Sequence, residues 1–206
     1  QFRPKVSALL NLTPDHLNRH HTMEIYGDTK LKIAINQTED DVIILNYDDE
    51  LVRPMATRVQ ARVVFFSRLE QLEEGICMKN GVITLIVNHE EIPFFKPEEL
   101  KLLGGHNIEN VMAAIGITYF MGVDVDTIKK ICLTFSGVEH RIEYVKTVKG
   151  VDYFNDSKGT NPDAAIKAVE AMIKPTLLIG GGYDKKVPFD DWVKTNILCG
   201  LFGGFE

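Results

Sequence analysis

A chain of 206 residues that is 45% hydrophobic is long enough to bury a real core, and it fits one large domain or one and a half ordinary ones. A formal net charge of -6 with 25% charged residues leaves no broad basic field, so neither a nucleic-acid partner nor an anionic membrane surface is expected. No apolar run reaches bilayer length, and Cys77, Cys132 and Cys199 lie far apart without a CxxC pair; a soluble cytoplasmic protein with buried thiols, no membrane insertion, no disulfide framework and no structural zinc is expected.

Residues 6–12 read as a buried strand, followed by a loop with Pro14 and His16 and a helix over 22–36. Residues 41–47 and 61–67 are short continuous apolar runs, the pattern of strands covered on both faces, with a helix between them from near Asp49. Runs at 77–79 and 82–87 flank Asn80-Gly81, the dipeptide best suited to a two-residue hairpin. After a loop over 93–97, residues 107–121 form a long amphipathic helix that Gly122 stops, and a second helix covers 126–135. Runs at 141–148 and 151–154 flank Lys149-Gly150 as a second hairpin, and Asn161-Pro162-Asp163 opens a helix through Met172. Residues 175–179 read as a buried strand entering Gly180-Gly181-Gly182. Strands alternating with helices predict an α/β protein with a largely parallel sheet, divided near Gly137. The opening at Gln1 and the aperiodic Gly- and Phe-rich stretch 199–206 suggest a truncated or disrupted reading frame.

Four clusters carry chemistry, each at a junction where open α/β sheets bind ligands. In Asn11-Leu12-Thr13-Pro14-Asp15-His16-Leu17, His16 fits a metal ligand oriented by Asp15, although the commoner reading of such a string by itself is a capped surface turn. In Gly104-Gly105-His106-Asn107-Ile108-Glu109-Asn110, two asparagines share a helical face and offer donors and acceptors to a purine edge; ordinary capping after a glycine turn is the alternative. His140-Arg141 and the polar string Asn155-Asp156-Ser157-Lys158-Gly159-Thr160-Asn161-Pro162 suit an anion at a helix N-terminus, or a solvated linker. In Gly180-Gly181-Gly182-Tyr183-Asp184-Lys185-Lys186, glycines permit close backbone approach and Lys185 can pair with a carboxylate, although a glycine turn alone says little.

In order, spacing and wording these clusters resemble the Mur ligase family over nearly the whole chain up to Trp192, and the string at 155–161 resembles its D-glutamate-adding branch. The resemblance implies a central, mostly parallel-sheet ATPase domain at 1–137 without its phosphate-loop portion, and the first part of a Rossmann-like C-terminal domain at 138–206. It implies ATP and Mg2+ as cofactors, with His16 binding the metal and Lys30 carbamylated to become an anionic metal ligand. Asn107 and Asn110 would lie by the adenine, and Arg141 and Asp156 by the phosphates and ribose. Lys158, Thr160 and Lys185 would serve the acceptor site and the incoming D-glutamate, with Lys158, Lys30 and His16 the catalytic set. The implied reaction joins D-glutamate to UDP-N-acetylmuramoyl-L-alanine through an acyl phosphate, in an enzyme that is a monomer when intact. No Gly-Lys-Ser/Thr string occurs in these residues, so the chain alone is expected to be inactive. A folylpolyglutamate-synthase-like ligase and a non-catalytic nucleotide-binding module are the alternatives.

Overall fold

The computed structural model describes residues 2–14, 17–181, 190 and 192–194. They fall into two compact units, one of residues 1–101 with 107–135 and one of residues 102–106 with 136–206.

The first unit is built on a six-stranded sheet in sequential order. Strand β1 (Val6–Leu9) is followed by the short α1 (Leu17–His20) and by α2 (Met23–Leu31), which a 3-10 turn at Lys32–Ala34 prolongs. Next come β2 (Val42–Asn46), a 3-10 segment at Arg53–Arg58, and β3 (Arg62–Ser67). Strands β4 (Gly75–Lys79), β5 (Val82–Val87) and β6 (Glu90–Pro93) precede α3 (Gly105–Phe120) and α4 (Val125–Thr134). The first four strands run parallel, with Ala8, Ile44 and Val64 in register, whereas β4, β5 and β6 pair antiparallel. The mixed α/β architecture with a mostly parallel sheet is the one the alternation of runs implied.

All five residues of β2 are buried, as a central parallel strand covered on both faces should be. On one face Ile43 and Leu45 pack with Leu9, Tyr26, Leu31, Val52 and Met55. On the other, Gly116 brings α3 so close that an added Cβ would lie 3.1 Å from the Cδ1 atoms of both Ile44 and Ile76. Ile43, Ile44, Leu45, Phe66, Ile76, Met112 and Ile115 are fully buried, each contributing about 1.5–3 kcal/mol of transfer free energy. At the start of β2, the buried Asp41 carboxylate receives Arg3 Nε at 2.6 Å and the Thr38 amide at 2.9 Å. These bonds, with the Arg3 and Lys5 charges, hold its carboxyl below the usual aspartate range against the opposing effect of burial.

Several elements differ from expectation for identifiable reasons. Strand β1 stops at Leu9 because side chains take over its continuation: Asn46 Nδ2 donates to the Leu10 carbonyl at 2.9 Å, and the Leu12 amide donates to Asp49 at 2.9 Å. The segment after Asp49 is a 3-10 turn rather than an α-helix; Asp49 caps the Leu51 and Val52 amides at 2.9 and 2.8 Å, and Pro54 has no N–H to donate. Strand β6 was not foreseen. It follows a two-residue turn whose Asn88 and His89 both have positive φ, 52° and 63°, with their amides donating to Glu74 at 3.1 and 2.8 Å. The Asn80-Gly81 hairpin is as expected, with φ of 51° and 78° and Lys79 opposite Val82. Helix α3 ends in a Schellman pair, Val123 N–H to Thr118 O at 3.0 Å and Gly122 N–H to Tyr119 O at 2.9 Å.

The second unit contains the hairpin of β7 (Glu143–Val148) and β8 (Val151–Asn155), with an irregularity between Tyr144 and Lys146, and α5 (Pro162–Glu170). Residues 175–179, expected as a buried strand, are not one. They form no strand, and Leu177 and Ile179 are 74% and 89% exposed. A strand exists only where a neighbour pairs with it; β7 and β8 pair with each other, and among the described residues no strand pairs with this segment.

Candidate functional site

Parallel strands deliver their carboxyl ends to one edge of a sheet, and ligands of open α/β folds bind there. In the first unit that edge is laced by side chains that the sequence did not single out. Asn46 at the end of β2 bonds the Leu10 carbonyl and accepts the Asp48 amide at 2.9 Å. Asp48 accepts the Ser67 hydroxyl and the amides of Arg68 and Leu69 at 2.8 and 3.2 Å. The signal was present as the Asn46-Tyr47-Asp48-Asp49 string directly after the apolar run Val42-Ile43-Ile44-Leu45.

His16 lies outside the described residues, as does Lys185. Lys30 is exposed in the last turn of α2, with its amine 5.2 Å from the centre of the Tyr26 ring. The His20 ring lies against the same Tyr26 ring at a centroid distance of 5.1 Å. No group of three or more His, Cys, Asp or Glu side chains suited to a metal occurs among the described residues.

Asn107 and Asn110 are brought together on α3: Asn110 Nδ2 donates to Asn107 Oδ1 at 3.3 Å, and both residues are half-buried. One donor of Asn110 is thus used, and a carboxamide has a second donor and an acceptor oxygen besides. Between them in sequence, Glu109 pairs with Arg68 at 3.0 Å.

In the second unit, His140, Arg141 and the 155–161 string form one folded loop cluster. The Ile142 amide donates to Asp156 Oδ1 at 3.0 Å, and the Lys158 amide donates to the His140 carbonyl at 2.9 Å. His140 Nδ1 lies 2.9 Å from Asn155 Nδ2, and the His140 amide donates to Glu143 at 2.8 Å. These bonds hold Arg141, itself exposed, between two residues of positive φ, His140 at 67° and Ile142 at 45°. A β-branched residue in that region is strained, and strain persists only where surrounding bonds over-determine it. Asp156 also packs so tightly on Gly159 that a Cβ there would overlap its carboxylate. Lys158 and Thr160 are exposed, and Asn161 caps α5 by accepting the Ala164 amide at 2.8 Å. Arg141, Asp156, Lys158 and Thr160 therefore occupy one loop cluster.

Residues 1–118 match the family model described as the Mur ligase middle domain. The UDP-N-acetylmuramoylalanine--D-glutamate ligase of Lachnoclostridium phytofermentans is 52% identical over 193 residues, covering 94% of this chain and 42% of that protein. The ligase of the same name from Clostridioides difficile is 48% identical over 195 residues, covering 95% of this chain and 43% of that protein. The chain thus spans less than half the length of these relatives. Among solved structures, the MurF ligase of Thermotoga maritima in complex with ADP aligns with a TM-score of 0.68 at 19% identity, covering 96% of this chain and 46% of that one; it shows the same fold. The family model covers more than half of the chain, and the chain belongs to the Mur ligase family.

Proposed function

We propose that this chain is the nucleotide-handling part of an ATP-dependent amide ligase that adds D-glutamate to UDP-N-acetylmuramoyl-L-alanine in the synthesis of peptidoglycan precursors. The observation that carries the proposal is 52% identity over 193 residues to a protein of that name, well above what a shared fold alone leaves. In this reading residues 1–137 act as the ATPase domain and residues 138–206 as the start of a C-terminal substrate domain. The enzyme works in the cytoplasm, where its nucleotide-linked substrate is made.

ATP supplies the phosphoryl group that activates the acceptor carboxylate before the amine of D-glutamate attacks. Asn107 and Asn110 suit adenine, because a carboxamide matches the donor and acceptor edge of that base and this pair is already held together by its own hydrogen bond. Arg141 supplies positive charge toward phosphate oxygens from a loop that cannot relax, and Asp156 both fixes that loop and presents a carboxylate for ribose hydroxyls. Lys158, Thr160 and Lys185 orient the acceptor and the D-glutamate carboxylates. Mg2+ fits only part of the donor set. His16 would offer an imidazole, and Lys30 as an ammonium would repel the ion, so Lys30 must carry a carbamate to serve; its exposed amine is open to carbon dioxide. Beside it, Tyr26 limits how the lysine stem can swing.

The test is ADP release by the complete protein containing this chain. Release should require both UDP-N-acetylmuramoyl-L-alanine and D-glutamate, and L-glutamate or a diamino acid in place of D-glutamate should give none. Turnover with L-glutamate and a folate acceptor would overturn the assignment.

A further inference from the structure

We infer that Arg68 and Glu109 are a positioning pair that sets the angle at which α3 presents Asn107 and Asn110 to the adenine; the inference rests on the adenine role proposed above. Residues of an α-helix are offset by about 100° each, so Asn107 and Asn110 lie roughly 60° apart and share a face, while Glu109 projects from a different one. A tie at Glu109 therefore acts on the roll of the helix about its axis, and that roll decides where the two carboxamides point.

The tie is rooted in the sheet. Arg68 follows the last residue of β3, and its amide donates to Asp48 Oδ2 at 2.8 Å. The same carboxylate receives the Leu69 amide and the fully buried Ser67 hydroxyl, and Ser67 Oγ in turn accepts the Glu70 amide at 2.7 Å. Residues 67–70 are thus clamped to the end of β2, and Arg68 Nε reaches from this clamp to Glu109 Oε1 at 3.0 Å. The two side chains are 36% and 24% exposed, too open for the pair to matter much to global stability. Their value is directional: the Arg68 Nε–H donates to one oxygen of the Glu109 carboxylate, and a hydrogen bond from a planar guanidinium prefers one direction as well as one distance. Neither residue needs to touch the nucleotide.

A competition titration with a fluorescent ATP analogue on the full chain, displaced by ATP or by GTP, tests the idea. The unmodified chain should favour ATP, and Asn110→Ala should remove most of that preference. Arg68→Ala and Glu109→Met should each lower it on the order of fivefold with little change in melting temperature, and the exchanged pair R68E/E109R should recover a large part of it. Glu109→Met keeps the length of the side chain and removes the acceptor, and an unchanged melting temperature shows that the fold is kept. The inference is overturned if the single variants keep the full preference while Asn110→Ala loses it, or if the exchanged pair recovers nothing. Should Asn110→Ala behave as the unmodified chain does, the adenine role itself fails and the positioning role falls with it.

Discussion

Asp41 shows how a single residue ties stability to pH. Its carboxyl titrates below the ordinary aspartate value because Arg3 and the Thr38 amide bond its ionised form. A carboxyl depressed in the folded state contributes stability that is complete above its unfolded pKa and is lost as pH falls through the folded one. Thermal unfolding followed by circular dichroism should therefore show a midpoint that is flat near neutrality and falls below about pH 4. Asp41→Asn should lower the midpoint at pH 7 and flatten the acid limb; an unchanged limb would show that other carboxyls govern it. At the other end of the chain Asn161 caps α5, and Asn161→Ala should cost about 1 kcal/mol of local stability, read from hydrogen exchange of the Ala164 amide.

At the scale of elements, Gly75 at the start of β4 combines a φ of 122° with a site where any Cβ would overlap the Phe65 carbonyl oxygen. Gly75→Ala should destabilise by roughly 1–3 kcal/mol, with a lower urea midpoint at unchanged slope, because both the dihedral and the parallel approach of β4 to β3 suffer. The strands at β2, β3, β4 and β5 were legible because their apolar runs are long and bounded by turn residues. Strand β6 was not: Glu90-Glu91-Ile92-Pro93 is written as an edge, charged and closed by proline, and its Asn88-His89 turn depends on Glu74, which lies 14 residues before Asn88. Residues 175–179 failed in the opposite sense, since apolar β-branched wording states a wish for a partner and not that one is present. Of the candidate site, the asparagine pair and the 140–161 loop could be read as local strings. The polar 46–49 string marked Asp48 as a candidate, but its partner Ser67 and the Arg68–Glu109 pairing could not be read, because separations of 19 and 41 residues leave no local trace of who meets whom.

For the whole molecule, the absence of any Gly-Lys-Ser/Thr string from these 206 residues leaves the β- and γ-phosphates without their usual backbone cradle. The chain by itself is therefore expected to bind adenine nucleotides weakly and to give no D-glutamate-dependent ADP release in a coupled assay. Release dependent on both substrates would show that phosphoryl transfer proceeds without that loop. In the described part of the second unit, Tyr144, Val145, Val151 and Tyr153 on the hairpin are about half exposed, as is Phe154 to a lesser degree. A solvent-facing set of this kind should raise the fluorescence of a hydrophobic dye at neutral pH.

The two borders of the six-stranded sheet are not alike. One is β6, whose glutamates and terminal proline repel any newcomer; the other is β1, where Val6, Ser7, Ala8 and Leu9 carry neither charge nor proline. Among the described residues, growth of this sheet is thus favoured in one direction, and a backbone added by fusion, complementation or self-association would dock on the β1 flank rather than along β6.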